Sequence, residues 1–477
     1  MHGHLIGLIF FECRAEIMKK AISSVKGISV KKKVARKINI DKSAVRGTRD
    51  VLPLEQPYRE RVRRYLASVR QEFGFHRIDV PTIESENLFA YSVGVGGGNM
   101  MGKELYSFEA SNGERIALRP ECTPGVVRAY IEHKMHLLPK PIKLFSTGQV
   151  FRCDHSGGFP REQWQANFDI FGEPDPILDA QIFQIASRIL VQLGIKNIEF
   201  HVNNIGTSAM RKEYQKILFR SLDTHRHKFC QSCKDFLMID PFRVLDCQED
   251  KCLQVTANAP RSAEYLDSES QMHFKTFLEY LDEIKIPYIV NSRLVRNSDY
   301  YVKNVFEIYS TGAEHGGRKV LIGGGGRYDD LVKSLGGEYT PAIGFGLDLD
   351  RLVSEMVRLG AKPYRDICPK VFLAQLGDLA KKKSLYVFSE LQKNDILTVE
   401  SFGRGNLRSQ LRIANKMHAE VMLIIGQKEA LDETVIVKNM VSGTQETVPR
   451  AQLVCAVKKI LKNSAQPTRV HSKIKNM

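Results

Sequence analysis

No apolar run in this chain of 477 residues is long enough to cross a bilayer, so the sequence contains no candidate transmembrane helix. The short run Leu5-Ile-Gly-Leu-Ile-Phe-Phe11 is preceded by no basic residue other than two histidines, and Glu12, Arg14 and Glu16 follow at once. With no small-residue cleavage site, this argues against a secretory signal. Met18-Lys-Lys-Ala offers an alternative start, which would make the first residues an over-extended reading frame. Internal repeats are absent. The nine cysteines are odd in number and clustered, which argues against a disulfide framework and for thiolate chemistry in a reducing, cytoplasmic setting.

What is present describes an ordinary soluble, globular, multi-domain chain, with 43% apolar and 26% charged residues. The net charge of +16 and isoelectric point near 9.3 favour a polyanionic partner. Lys19 to Lys42 is basic and lacks an apolar pattern, and reads as a flexible arm. Pro57 to Phe73 has helical spacing at Val62, Leu66, Val69 and Phe73, and Gly74 ends it; Arg77 to Pro81 reads as a strand. From Pro369 to about Leu461, strands at Val371–Ala374, Val421–Ile425 and Thr434–Val437 alternate with helices at Ala380–Lys393 and around Arg408–Met417, a small α/β module.

The densest chemical signal runs Gly323-Gly-Gly-Gly-Arg327-Tyr-Asp-Asp-Leu, then Thr340-Pro-Ala-Ile-Gly-Phe-Gly, then Leu349-Asp-Arg351-Leu. Four glycines permit close backbone approach because no Cβ stands in the way. A strand, Ala342 to Leu347, then feeds a helix from Asp348 to Leu359 that stops at Gly360 and carries Arg351 in its first turn. A guanidinium fixed there suits a phosphate, being planar and permanently charged.

These segments resemble the third signature motif of class II aminoacyl-tRNA synthetases in the form used by histidyl-tRNA synthetases. Companion segments stand in the right order: Arg46-Gly-Thr-Arg-Asp-Val-Leu-Pro53, Leu118-Arg-Pro-Glu121-Cys-Thr123, Phe151-Arg152-Cys-Asp154 and Leu294-Val-Arg296-Asn-Ser-Asp299-Tyr-Tyr301. The resemblance covers roughly residues 44 to 460.

It implies an α+β fold. An antiparallel-sheet catalytic domain (44–207 and 271–360) would carry an inserted domain (208–270), then a linker (361–366) and an α/β anticodon-binding domain (367–463). Residues 1–43 would form a flexible basic extension and 464–477 a disordered basic tail. Implied substrates are L-histidine, ATP with Mg2+, and tRNA(His), and the implied assembly is a homodimer with no membrane association.

Activating an amino acid requires neutralising charge at the α-phosphate of ATP and positioning the carboxylate that attacks it. The resemblance assigns catalysis to Arg152 and Arg296, and ATP binding to Arg152, Asp154 and Arg351. Glu121, Thr123 and Gln165 would take the α-ammonium group. Asp169 and Tyr301 would engage the two imidazole nitrogens, with Tyr300 and Tyr328 lining the pocket and Arg119 at one edge. Several positions depart from the family pattern. Asp154 replaces a glutamate, Cys122 a glycine, Gln163 a stacking phenylalanine (with Trp164 and Phe159 nearby), and Asn297-Ser298 a Gly-Leu pair. Asp350 precedes Arg351 in place of glutamate, and the loop from His155 to Pro160 lacks its usual basic character.

Cys230-Gln-Ser-Cys233 and Cys247-Gln-Glu-Asp-Lys-Cys252 have the spacing of a structural zinc site with four cysteine ligands, with His225 and His227 as substitutes for one thiol and reduced, metal-free thiols as the alternative. Three rival functions stand against histidine activation. They are a catalytically silent paralogue regulating histidine biosynthesis, a non-catalytic RNA-binding module, and a synthetase for another amino acid.

Overall fold

The computed structural model describes residues 42–89, 105–153, 160–296, 299–311, 319–364, 369–403 and 405–464. Asp154, Phe159, Asn297 and Ser298, most of the loop that follows Asp154, the basic N-terminal segment up to residue 41 and the tail beyond Ser464 lie outside these residues. The chain divides after Asp50 into two units. The described part of the first holds a turn in which the backbone N–H and hydroxyl of Thr48 both donate to the Val45 carbonyl, at 2.9 and 2.7 Å.

The second unit is built on an eight-stranded sheet of order β1-β5-β6-β11-β10-β9-β7-β8. Its strands are β1 (His76–Arg77), β5 (Ile142–Phe151), β6 (Glu162–Phe171), β7 (Ile198–Asn204), β8 (Tyr288–Val290), β9 (Val302–Ser310), β10 (Val320–Arg327) and β11 (Ala342–Asp348). Only the outermost pairs, β1 with β5 and β7 with β8, are parallel. A separate three-stranded sheet comprises β2 (Ile83–Ser85), β4 (Arg115–Leu118) and β3 (Ser107–Glu109), in that order.

Strand β6 shows why this sheet has two unlike faces. Trp164, Ala166, Phe168 and Ile170 are buried in the main core, together with Phe306, Ile322, Phe345 and Leu347 from neighbouring strands. Gln163, Gln165, Asn167 and Asp169 alternate with them, and the strand period of two sends these to the opposite face. Helices α1 (Gln56–Glu72), α3 (Ile177–Leu193), α8 (Ser268–Glu283) and α10 (Leu349–Arg358) contribute to the core on the apolar side. Full burial of each large apolar side chain there is worth about 1.5–3 kcal/mol.

The strand expected from Arg77 to Pro81 is shorter, only His76–Arg77, although the Ile78 N–H still reaches the Phe145 carbonyl at 2.9 Å. Pro81 has no N–H to offer a ladder, and the guanidinium of Arg119 takes the carbonyls of Val80 and Pro81 at 2.7 and 3.3 Å.

Between β7 and β8 the chain is helical: α4 (Ser208–Asp223), α5 (Gln231–Ile239), α6 (Phe242–Leu245), α7 (Asp250–Thr256) and then α8. Tyr214, Leu237, Phe242 and Leu245 from this stretch share one apolar cluster with Leu294, Val295, Tyr300, Tyr301 and Tyr328. That cluster also includes Val126 and Val127 of α2 (Thr123–Glu132) and Leu331 and Val332 of α9 (Leu331–Ser334). The segment after α10 is pinned to α1, with Tyr364 N–H donating to the Pro57 carbonyl at 3.1 Å.

The last region carries a five-stranded sheet, β13-β12-β14-β15-β16, made of β12 (Val371–Gln375), β13 (Thr398–Glu400), β14 (Val421–Ile425), β15 (Thr434–Asn439) and β16 (Gln445–Pro449). Its helices are α11 (Asp378–Lys393), α12 (Leu407–Lys416), α13 (Gln427–Asp432) and α14 (Leu453–Ser464). The α/β alternation expected there is present, and Ser464, expected in the tail, closes α14. Among the described residues no helix is long and apolar enough to cross a membrane.

Candidate active site

The polar face of the large sheet is paved with glycine. In register, Gly344 pairs with Asp169 and Gly326, while Gly346 pairs with Asn167 and Gly324. A Cβ at Gly344 would lie 2.4 Å from an Asp169 oxygen, and one at Gly346 would lie 2.6 Å from the Gln165 amide nitrogen. On the next strand, a Cβ at Gly324 would sit 2.9 Å from an Arg296 nitrogen, and one at Gly326 would sit 3.1 Å from the Tyr301 ring. These glycines therefore make room first for the site's own side chains, which lie flat across the sheet.

At one end of this face Asp169, 1% exposed, accepts the Tyr328 hydroxyl at 2.6 Å and makes a longer contact with Thr123 Oγ1 at 3.4 Å. Its second oxygen has no hydrogen-bond partner. Burial pushes its pKa up to about 7, against the pull of Tyr328 and Thr123. Asn167 donates to Thr123 Oγ1 at 3.2 Å, and its own oxygen, like that of Gln165, is buried without a partner. Three alternate positions of β6 thus present unused acceptors on one face of the sheet, an arrangement that asks for a donor-rich ligand. Beside them the Tyr300 hydroxyl donates to Glu121 at 2.6 Å, and the Tyr300 ring lies 4.5 Å from Tyr301 and 5.9 Å from Tyr328. Burial raises the pKa of both Tyr300 and Tyr328 well above the usual phenol value, which keeps them donors.

Arg296 lies over Gly324, level with Asn167. It donates to Glu307 at 2.9 Å, and its guanidinium carbon is 5.6 Å from the centre of the Tyr301 ring. Although burial works against its charge, Tyr301 and Glu307 raise its pKa.

Arg152 and Arg351 stand at the far end of the face. Arg152 follows β5 and is exposed, with Nε donating to the Pro120 carbonyl at 3.3 Å. Arg351 lies in the first turn of α10, where Asp348 caps its N–H at 3.0 Å and pairs with its Nε at 3.1 Å, while Nη1 reaches the Leu321 carbonyl at 2.6 Å. Gln163, whose amide reaches Asp348 at 3.4 Å, marks this end, six strand positions or roughly 20 Å from Asp169. Arg296 falls between the two ends, where a ligand spanning the face would change from one half to the other.

The geometry adds to several of these positions. The phenol that reaches Asp169 belongs to Tyr328, whereas Tyr301 packs against Tyr300 and Arg296. Arg119 is 6% exposed, with Nε donating to the Gln149 carbonyl and Nη1 to those of Val80 and Pro81, which braces these loops against β5. Trp164 cannot stack on a ligand: it is buried in the core, with Arg59 and Arg63 at 4.9 and 5.0 Å from its ring. Asp350 accepts the Trp164 N–H at 2.7 Å and pairs with Arg59, tying α10 to β6 and α1. Arg327 is wholly buried between Asp179 and Asp329, at 2.6 and 3.1 Å, and fixes the backbone that carries Tyr328. Sequence reading missed Asn167, whose parity with Gln165 and Asp169 on one strand could have revealed it. It also missed Glu307, for which no local signal exists.

The four cysteine sulfurs, Cys230, Cys233, Cys247 and Cys252, converge within 4.8 Å of one another, and Cys230 and Cys247 are 4.0 Å apart. Thiolates around one zinc ion at about 2.3 Å would be roughly 3.8 Å apart, so the donor set fits a tetrahedral ion with little movement. Neither His225 nor His227 joins the group, and His225 Nδ1 lies 2.8 Å from Thr224 Oγ1.

A largely antiparallel sheet with a polar, arginine-bearing face and a helix-borne arginine at its end defines a class II aminoacyl-tRNA synthetase fold. The histidyl-tRNA synthetase family model matches residues 47–352, and an anticodon binding domain model matches residues 370–460. A histidine–tRNA ligase of Dehalococcoides mccartyi is 38% identical over 415 residues, covering 87% of this chain and 98% of that protein. One from Desulforamulus reducens is 33% identical over 414 residues, with 87% and 98% covered. The crystal structure of apo S. aureus histidyl-tRNA synthetase superimposes with a TM-score of 0.71 at 30% identity, over 87% of this chain and 99% of that one. The chain belongs to the histidyl-tRNA synthetase family.

Proposed function

We propose that this protein activates L-histidine with Mg2+-ATP to histidyl-adenylate and transfers the histidyl group to the 3′ end of tRNA(His), acting as a cytoplasmic homodimer. The observation that carries the reading is the line of unused acceptors on β6, ending in Asp169, with Arg296 placed between them and the arginines at the other end. Histidine is small, with two ring nitrogens and an ammonium group to satisfy such acceptors. In this reading Asp169 and Tyr301 engage the imidazole, with Tyr328 holding Asp169 and walling the same pocket. Glu121, Thr123 and Gln165 take the ammonium group beside Tyr300. A pocket that pairs buried polar groups with the imidazole rejects side chains lacking it, because those groups would be left unsatisfied.

Arg296 would face both the carboxylate of histidine and the α-phosphate, neutralising charge that builds as the two meet. Arg152 and Arg351 would hold the phosphates and nucleotide, with Asp154 as their companion at the end of the second motif. The catalytic domain would comprise 44–207 and 271–360, the insertion 208–270 and the anticodon-binding domain 367–463. In the insertion, the four thiolates would hold a structural zinc ion, which supplies a cross-link among short helices.

A regulatory paralogue gains no support, since Arg152, Arg351 and the C-terminal module are all retained. Histidine-dependent ATP–pyrophosphate exchange on the purified protein, followed by charging of tRNA(His), is the test. Exchange that requires histidine and is absent with other amino acids is expected. Exchange driven by another amino acid, or none from folded protein that binds histidine, would overturn the reading. Sedimentation at micromolar concentration tests the dimer, and a monomer that charges tRNA at full rate would refute it.

A further inference from the structure

The described residues between β8 and β9, Arg296 among them, have no regular secondary structure. Their main chain is held largely by side chains from elsewhere. Asn203 Nδ2 donates to the Leu294 carbonyl at 2.9 Å. Arg211, on insertion helix α4 and 9% exposed, donates to the Asp299 carbonyl at 2.8 Å, to the Tyr301 carbonyl at 3.4 Å and to the Arg296 carbonyl at 3.5 Å. The same guanidinium lies 5.2 Å from the centre of the Phe242 ring, on α6 of the insertion.

A second tie runs the other way. Arg293, three residues before Arg296, donates to the Leu245 carbonyl at 2.8 Å. Leu245 ends α6 and stands two residues before Cys247. Cys247 itself closes on α6, its N–H reaching the Val244 carbonyl at 3.3 Å. Buried Cys233 and Cys252 lie in the apolar cluster that also holds Leu245, Leu294, Tyr300 and Tyr301. The cysteine knuckle and the catalytic segment therefore share one core and are cross-tied by two arginines. Helix α6 has only four residues, too few to hold its shape alone, so the path of the Leu245 carbonyl depends on the packing of Phe242, Val244 and Leu245 in this core and on what anchors Cys247 at its end.

We propose that Arg293 and Arg211 are positioning residues that couple the cysteine knuckle to Arg296, so that zinc bound in the insertion sets the rate of histidine activation. The metal half of this rests on the zinc reading given above; the arginine half does not. Arg296 does its work by standing between carboxylate and phosphate, and displacement of a catalytic group by about 1 Å can cost on the order of 100-fold in rate. Loss of the knuckle frees the Leu245 carbonyl, Arg293 loses its acceptor, and the segment that follows relaxes.

The test uses the full-length protein, with zinc measured by mass spectrometry and histidine-dependent exchange resolved into kcat and KM. Arg293→Ala is expected to keep its zinc and a cooperative melting transition well above the assay temperature, and to lose about 10-fold or more in kcat while KM for histidine changes less than about threefold. Arg293→Lys should recover part of the rate, since an ammonium can still reach one carbonyl. Chelating zinc from the wild type under reducing conditions should lower kcat similarly, with recovery on adding Zn2+. The same treatment of Arg293→Ala should add little, because both changes break one linkage.

An unchanged kcat in Arg293→Ala overturns the coupling whatever the metal does. Zinc that can be removed without changing kcat overturns the metal half alone. Protein that is fully active and contains no zinc as purified overturns both the metal half and the zinc reading, and leaves the arginine half to be decided by the variants. If stripped protein unfolds, zinc holds the fold and does not set the rate, which overturns the metal half, and Arg293→Ala and Arg293→Lys decide the arginine half.

Discussion

Tyr328 donates its hydroxyl hydrogen to Asp169 at 2.6 Å, and this bond opposes the burial that drives the Asp169 pKa up to about 7. Without it the carboxyl would hold its proton still more tightly. Tyr328→Phe should therefore shift the acid limb of kcat/KM for histidine to higher pH and raise KM for histidine at pH 7. The variant also leaves a buried oxygen with only the 3.4 Å Thr123 contact, at a stability cost of about 1–3 kcal/mol. A pH profile of exchange checks it; a variant whose acid limb coincides with the wild type would show that Asp169 does not govern binding.

Asp169 should also make the free protein less stable as pH rises. A carboxyl whose folded pKa lies above its unfolded value binds its proton more tightly when folded. Its stabilising contribution is complete below about pH 4 and is lost as pH rises through about 7. The rise from 3.8 to about 7 corresponds to on the order of 4 kcal/mol at alkaline pH. Asp169→Asn removes the charge and should raise the melting temperature more at pH 8 than at pH 5, while raising KM for histidine by about 10-fold or more. At a given histidine concentration the wild type should be stabilised more than the variant. Equal melting shifts at both pH values would contradict the buried-charge account.

Arg296 and Glu307 form a pair at 2.9 Å on the face where carboxylate and phosphate are expected to meet. Arg296→Lys keeps the charge but not the planar fork, so it should lose about 100-fold or more in kcat for exchange. Glu307→Gln keeps the shape but weakens the tether, and should lose less. Pre-steady-state exchange would separate the two, and equal losses in both would mean that Glu307 itself acts on the substrate.

Much of this was readable in the sequence because chemistry and local geometry coincide. In β6 the alternation of Trp164, Ala166, Phe168 and Ile170 with Gln163, Gln165, Asn167 and Asp169 declares both faces. The same parity places Trp164 in the core, so its orientation was legible too. The helix carrying Arg351 follows from Asp348 as its cap. Arg211 and Arg293 were not legible, since their acceptors lie 88 and 48 residues away and are main-chain carbonyls that leave no side-chain signature. The bond between Tyr328 and Asp169 was not legible either, because it needs β10 to pair with β11 and β11 with β6 in this register.

The two glycines Gly344 and Gly324 should separate binding from rate. A Cβ at Gly344 would meet an Asp169 oxygen at 2.4 Å and the Tyr328 oxygen at 3.1 Å, at the end of the face expected to hold the imidazole. A Cβ at Gly324 would meet an Arg296 nitrogen at 2.9 Å. Both would also press on a backbone carbonyl, at 2.8 and 2.7 Å respectively, so each alanine should cost about 1–3 kcal/mol of stability by overpacking. Against that shared cost, Gly344→Ala should act mainly on KM for histidine and Gly324→Ala mainly on kcat. Exchange kinetics below both melting transitions decide this. If both variants lose kcat alike with KM for histidine unchanged, the Asp169 end of the face is not where the imidazole binds.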